Sequence, residues 1–203
     1  MFFPLHFCFV LNLQILTFLR FVGNNSFYHA IRDVNGPSTH TVGRIIRRVA
    51  NAIFGIKNDF IQWPANPETL AQGFYQIAGF PSVVGALDGS HVPVSPPKED
   101  EASYLNRHHT HSINVLCVAG PKREILYLNV NHGGRTHDSR ALQNSSLWQM
   151  FETEGRILFP GAVLIGDSAY PLGHWLMTPI LGNPVEPAQQ RFNSSHSKTR
   201  NQY

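Results

Sequence analysis

The sequence predicts a mixed α/β sheet preceded by a small helical domain. Three observations lead there. Within residues 1–62, apolar side chains recur at three- and four-residue steps, the period of a packed helix. From Val83 onward, four short runs rich in aliphatic and β-branched residues are bounded by Gly, Pro and Asn, as strands are. A stretch able to form a helix separates the third run from the fourth, which suits a crossover to a parallel strand.

The first 23 residues, MFFPLHFCFVLNLQILTFLRFVG, are apolar enough to suggest a signal peptide or a membrane span. No basic region follows Met1, no small-residue cleavage site is evident, and His6, Asn12, Gln14 and Arg20 interrupt the run, so no membrane partner is favoured. Leu11, Ile15, Leu16, Phe18, Leu19 and Val22 mark a helix that packs on something. A second short pattern runs from about Ser26 to Val34, and Asn35-Gly36-Pro37 makes a turn. A third helix follows, capped by Ser38 or Thr39. Val42, Ile45, Ile46, Val49 and Ile53 form its apolar face, and Arg44, Arg47 and Arg48 point outward. Short helix, turn and basic helix outline a helix-turn-helix unit, with those arginines as candidate DNA contacts. A three-helix packing unit with a basic face is the alternative.

Residues 63–82, with three prolines, read as a connector. The expected strands are then Val83–Leu87, Ile113–Ala119, Ile125–Val130 and Ala162–Ile165, with a helix over Ser139–Phe151. Across the 203 residues, 42% are apolar, enough for a folded core rather than disorder. A net charge of +3 with 11 His is compatible with a polyanionic partner without establishing one. Cys8 and Cys117 lie far apart, which argues against a zinc knot or a disulfide framework and fits a reducing intracellular compartment.

In VVGALDGSHVPVS, Asp88 closes an apolar run, and in AVLIGDSAYP, Asp167 closes another, each beside a glycine. Functional groups in open α/β sheets gather at the carboxyl ends of strands. If those two strands are neighbours, the two carboxylates meet, and a divalent cation between them offsets their repulsion. Mg²⁺ or Mn²⁺ suits such oxygen ligands and the cleavage of phosphodiesters. For either acid alone, capping a turn is a sufficient explanation. Asp138, after GGRTH, either caps the helix that follows or stands with His137 at the rim of the same site. The cluster Tyr104, Asn106, Arg107, His108, His109 and His111 fits zinc poorly, because adjacent histidines on an extended chain diverge and no cysteine supports them. Phosphate contact by Arg107, with hydrogen bonds from Tyr104 and Asn106, is the functional reading; a solvated loop is the plain one.

The words GALDGSHVPVSPP, YLNRHHTHSINVLCV, GGRTHDSRAL, LIGDSAYPLGHWLMTP and RFNSSHSKTRN, in that order over about residues 79–201, resemble the DDE endonuclease domain of PIF/Harbinger transposases and the nucleases derived from them. The resemblance implies an RNase H-like core in which two Asp and one Glu hold two divalent ions and cut DNA with water or a 3′-hydroxyl. Asp88 matches the first acid and Asp167 the acid of the GDS-[AG]-Y word, while Asp138 matches a recurring position of unassigned role. The third acid is expected a few residues past Arg200, where only Asn201, Gln202 and Tyr203 follow; Glu186, in a proline-bracketed loop, is a poor substitute. Residues 83–203 are thus expected to form the endonuclease domain without its last helix. The resemblance also implies a nuclear protein that works on DNA beside a Myb-like DNA-binding partner. The alternative is an inactive, truncated remnant that binds DNA or another protein.

Overall fold

A computed structural model describes residues 5–24, 28, 38–182 and 185–201. The chain divides into two units, Met1–Phe60 and Ile61–Tyr203.

In the first unit, α1 spans Leu5–Asn24 and α2 spans Thr39–Gly55. Ser38 caps α2 by accepting the Thr41 N–H at 3.2 Å. Val42 and Ile46 of α2 meet Phe18 and Phe21 of α1 in a small core, and the Tyr28 ring lies 5.5 Å from that of Phe21. The expected inner face of α2 is buried at Val42, Ile45 and Ile46. That of α1 is not: Leu11, Ile15, Leu16, Leu19 and Val22 are exposed, because a single helix covers only a narrow strip of its neighbour, here Thr17, Phe18 and Phe21. No helix among the described residues is long and apolar enough to cross a membrane. Apart from Tyr28, the expected second pattern and the turn at 35–37 lie outside the described residues.

The second unit is built on a five-stranded mixed sheet, ordered β3-β2-β1-β4-β5. Its strands are β1 Val83–Pro93, β2 Ser112–Ala119, β3 Ile125–Gly133, β4 Val163–Ile165 and β5 Leu176–Met177. β1 pairs antiparallel with β2 over Ala86–Pro93 and parallel with β4 over its first residues. β1 is longer than its apolar run suggests, because β2 carries the ladder on to Pro93↔Ser112. β5 has two residues, too few for any periodicity to announce it. Residues 63–82, expected as a connector, carry α3, Glu68–Ala78, which ends on Gly79 in the left-handed conformation at φ 68°. Leu70 of α3 is buried in one core, with Leu87, Leu116, Leu142 and Trp175, and Phe74 in the other, with Phe80, Val83 and Ile165.

The helix expected over Ser139–Phe151 is broken into α5, Asp138–Gln143, α6, Ser146–Trp148, and a wider turn at Gln149–Thr153. Ser145 causes the break. Its hydroxyl donates to Leu142 O and accepts the Trp148 N–H, competing with the helical ladder. The last helix, α7, covers Pro187–Arg200. Phe192 sets its ring 5.3 Å from Phe80, Asn193 exchanges two 2.9 Å hydrogen bonds with the Ile180 backbone, and buried His196 donates from Nε2 to Met177 O at 3.2 Å. Before β2, the short helix α4, Glu101–Tyr104, leads into a loop held from inside by Asn106. Its carboxamide nitrogen donates to Thr110 Oγ1 and Ser112 Oγ, and its oxygen accepts the N–H groups of His108 and Thr110.

Truncating Asn106 removes those bonds and leaves buried partners unpaired, so Asn106→Ala is expected to lower stability by about 2–3 kcal/mol, measured as a shift in urea midpoint. His196 gives a pH prediction. Burial holds its imidazole below the ordinary value, only partly offset by the bond to Met177 O. Because the folded pKa is the lower one, both states are neutral at higher pH, and below about 6.5 the unfolded chain takes the proton first. Stability therefore falls as pH drops through about 6.5, and His196→Gln removes that component from the pH dependence of the urea midpoint.

Candidate functional site

Parallel pairing of β1 with β4 runs Val83↔Val163, Gly85↔Leu164 and Ala86↔Ile165. Asp88 and Asp167 each lie two residues beyond the last of these rungs, Asp88 still within β1 and Asp167 in the turn after β4, so both acids follow the carboxyl end of the shared ladder. The neighbour relation on which the sequence argument turned is therefore present.

The setting of Asp88 differs from the expectation. It does not end its strand: it lies at the middle of β1, opposite Cys117 of β2. Nor is it buried. Past Ala86, β1 has lost β4 and keeps only β2, and burial stops at Leu87, leaving the Asp88 side chain 66% exposed. Its Oδ1 lies 3.7 Å from Nη2 of Arg200, the last residue of α7. The thiol of Cys117 is pushed up by burial and, secondarily, by the Asp88 charge. Asp167 is half-buried, and its Oδ1 accepts the Ala169 N–H at 2.9 Å, which turns the chain out of the sheet.

Asp138 could cap α5 or join the acids. His137 occupies the cap position, and Asp138 is the first residue of the helix. Its Oδ1 accepts from Asn114 Nδ2 at 2.8 Å, and the same amide donates to Thr136 O. So held, the carboxylate lies against Gly89, where an added Cβ would come 2.5 Å from Oδ1. The glycine after Asp88 thus leaves room for the Asp138 carboxylate against β1.

Sequence reasoning missed Tyr170, although it sits in the GDSAYP word. It is 4% exposed, packs under Gly166, and its hydroxyl has no partner among the described residues. Burial raises its phenol well above the ordinary value, and the charges of Asp138, Asp88 and Asp167 raise it further against the lowering by Arg200. Asn114 was also missed; its signal was an amide on the buried side of an otherwise aliphatic strand.

The basic and loop residues divide. Asn106, read as a phosphate contact, is buried and its carboxamide is spent on its own loop, so it shapes that loop instead of facing a ligand. Arg107 and His137 are exposed, and Tyr104 is half-buried at the end of α4. Arg44, Arg47 and Arg48 are exposed on α2 in the other unit, Arg48 donating to Gln14 Oε1 at 3.3 Å. Among the described residues, no three His, Cys, Asp or Glu side chains converge closely enough to enclose a metal ion.

Residues 87–203 match the family described as DDE superfamily endonuclease. Two similar relatives are named "Putative nuclease HARBI1", from Rattus norvegicus and Homo sapiens. Each is 35% identical over 189 residues, covering 92% of this chain and 53% of the relative. "Protein ALP1-like" of Arabidopsis thaliana is 26% identical over 200 residues, covering 93% of this chain and 49% of its own length. The chain thus spans about half the length of the curated relatives it matches. No solved structure matches it. With the family match extending over more than half its residues and through both strand-borne acids, the chain belongs to the Harbinger transposase-derived family of DDE endonucleases.

Proposed function

We propose that the chain carries the acidic strands of a divalent-metal-dependent DNA endonuclease with an RNase H-like core, acting on phosphodiester bonds in the nucleus. The observation that carries this reading is that Asp88 and Asp167 each follow, by two residues, the last rung between the parallel neighbours β1 and β4. The order of the mixed sheet agrees with such a core.

The donor set suits Mg²⁺ or Mn²⁺, which take oxygen ligands and need only one or two carboxylates when substrate phosphates complete the shell. That chemistry fits two adjacent aspartates that do not form a closed cage. When bound, the ion would polarise the scissile phosphate and favour ionisation of the attacking water or 3′-hydroxyl. Asp88 and Asp167 would hold it. Asp138, fixed by Asn114, adds negative charge from the α5 side. The third acid that the resemblance implies belongs a few residues past Arg200. Because Arg200 already stands beside Asp88, α7 leads toward that end of the sheet.

DNA is the implied partner. Exposed Arg107 and His137 would meet phosphates near the acids, and Arg44, Arg47 and Arg48 would form a second basic contact on α2. A Myb-like protein that brings the nuclease to its target would supply sequence selection. A binding role without cleavage is the second reading, favoured by the Arg200 guanidinium near Asp88 where a cation ligand is required.

Plasmid nicking by the full-length protein in Mg²⁺ or Mn²⁺ tests the first reading. Asp88→Asn and Asp167→Asn are each expected to slow it by about a hundredfold or more. Cleavage that survives both changes would place the chemistry elsewhere. Neutralising Arg44, Arg47 and Arg48 together is expected to weaken DNA binding for all sequences and to flatten the plot of log affinity against log salt by about 0.9 per lost phosphate contact.

A further inference from the structure

At the amino ends of β1 and β4, away from the acids that follow their carboxyl ends, the second unit carries a cavity of about 480 Å³ that opens to solvent. Phe80, Ser82, Val163, Met177, Arg191 and Phe192 line it. Its aromatic wall is built in advance: the Phe80 and Phe192 rings stand 5.3 Å apart, and His196 lies against them at 6.1 and 6.0 Å. Met177 adds a side chain that adapts to an irregular guest. Ser82 keeps a left-handed backbone at φ 61°, costly for a residue with a Cβ, and its carbonyl accepts the Val163 N–H at 2.9 Å. Arg191 is the sole charge among the described lining residues. It is exposed on α7 and makes no ion pair among the described residues.

We propose that this cavity docks an acidic peptide segment of a partner protein, which seats an aromatic or aliphatic side chain against Phe80 and Phe192 and sets a neighbouring carboxylate on Arg191. Charge selects the occupant. A guanidinium beside an apolar wall suits a carboxylate, which it meets with two parallel hydrogen bonds, and it repels a basic segment. DNA does not fit this chemistry, because a phosphate backbone is held by several cations along a groove, whereas one arginine stands here among apolar side chains. Nor does the shape suit a small molecule. A free ligand is held by burial of most of its surface, and this cavity is open. A side chain presented by a longer peptide needs only its own enclosure, while the acids beside it stay at the rim. Arg191 precedes Arg200 by nine residues on α7, about 14 Å along the helix, so a peptide held here leaves Asp88 uncovered. The docking site is therefore independent of the metal reading.

A random peptide library displayed on phage and selected on the 203-residue chain supplies the probe. The enriched sequences are expected to carry an aromatic or large aliphatic residue within a few positions of Asp or Glu. One of them, labelled and followed by fluorescence anisotropy, then measures affinity. Arg191→Glu should weaken binding about tenfold or more. The same peptide with its acids replaced by lysine should regain affinity for that variant, which also shows the variant to be folded. Ala188→Trp, at an exposed position of the same lining, should abolish binding by filling the cavity. Asp88→Asn should bind the peptide as the parent does, so failure of the metal reading leaves this result untouched. The docking site is overturned if no sequence is enriched, if the enriched sequences lack acids, or if Arg191→Glu and Ala188→Trp both bind as tightly as the parent. It is equally overturned if duplex DNA displaces the peptide as well as unlabelled peptide does.

Discussion

The parallel pairing of Val83–Ala86 with Val163–Ile165 is the constraint from which the acidic end of the sheet follows. A slip of one residue in β1 would turn Asp88 to the opposite face, since side chains alternate with period two. Gly85 helps to set this register. It sits where the β1–β4 ladder shifts, and an added Cβ would come 2.5 Å from Val118 Cγ1 and 2.9 Å from Leu164 Cδ2. Without a side chain, β1 packs between two aliphatic neighbours on adjoining strands, and Asp88 and Asp167 each follow the end of this ladder. The GALDG word therefore has a mechanical reading: Gly85 admits the strand, Leu87 anchors it, Asp88 leaves the core, and Gly89 makes room for Asp138.

Much of this was legible in the residues. Aliphatic runs announced four of the five strands: β4 and the first half of β1 are buried on both faces, and β2 alternates buried with half-buried positions. The two acids at the ends of those runs, and the need for the strands to be neighbours, also followed from composition. Three features were not legible. β5 is too short to carry a period. The break at Ser145 depends on a hydroxyl choosing backbone partners, which apolar spacing does not report. Tyr170 and Asn114 looked like ordinary members of a turn and a strand, since the burial of one hydroxyl and the bond from the other's amide to Asp138 arise only in the folded chain. Asp88, expected at the close of its strand, lies instead at mid-strand and largely in solvent, for a tertiary reason: pairing with β2 carries β1 on to Pro93, whereas loss of β4 beyond Ala86 opens that edge.

Three carboxylates at one end of a sheet repel, and the fold answers that repulsion differently for each. Asp88 is largely in solvent, where the high dielectric weakens its field, and it has Arg200 nearby. Asp167 is occupied by the N–H of Ala169 in its own turn. Asp138 is the least free, pinned by Asn114 against a glycine. The most exposed acid is thus the one with the most freedom to reorient toward a ligand, and the most constrained is the one farthest along the chain from both strand-borne acids' shared rungs.

The same polar economy links the acids to the loop that bears Arg107. Ser112 Oγ lies 2.9 Å from both His91 Nδ1 and Asn106 Nδ2, so one hydroxyl joins β1 to the centre of that loop. His91 is three residues beyond Asp88 on the same strand, a rise of about 10 Å. Gly134 closes the arrangement, its N–H donating to Ser112 O at 2.7 Å in a space where a side chain would strike Ser112 and Tyr104. The DGSH, LNRHHTHS and GGRTHD words, separate in sequence, are therefore parts of one hydrogen-bonded frame. His91 and Asn106 serve it from within. Arg107 is left exposed on its surface, its Nε donating to His108 Nε2 at 3.2 Å, while the shape of the loop is held from inside by Asn106.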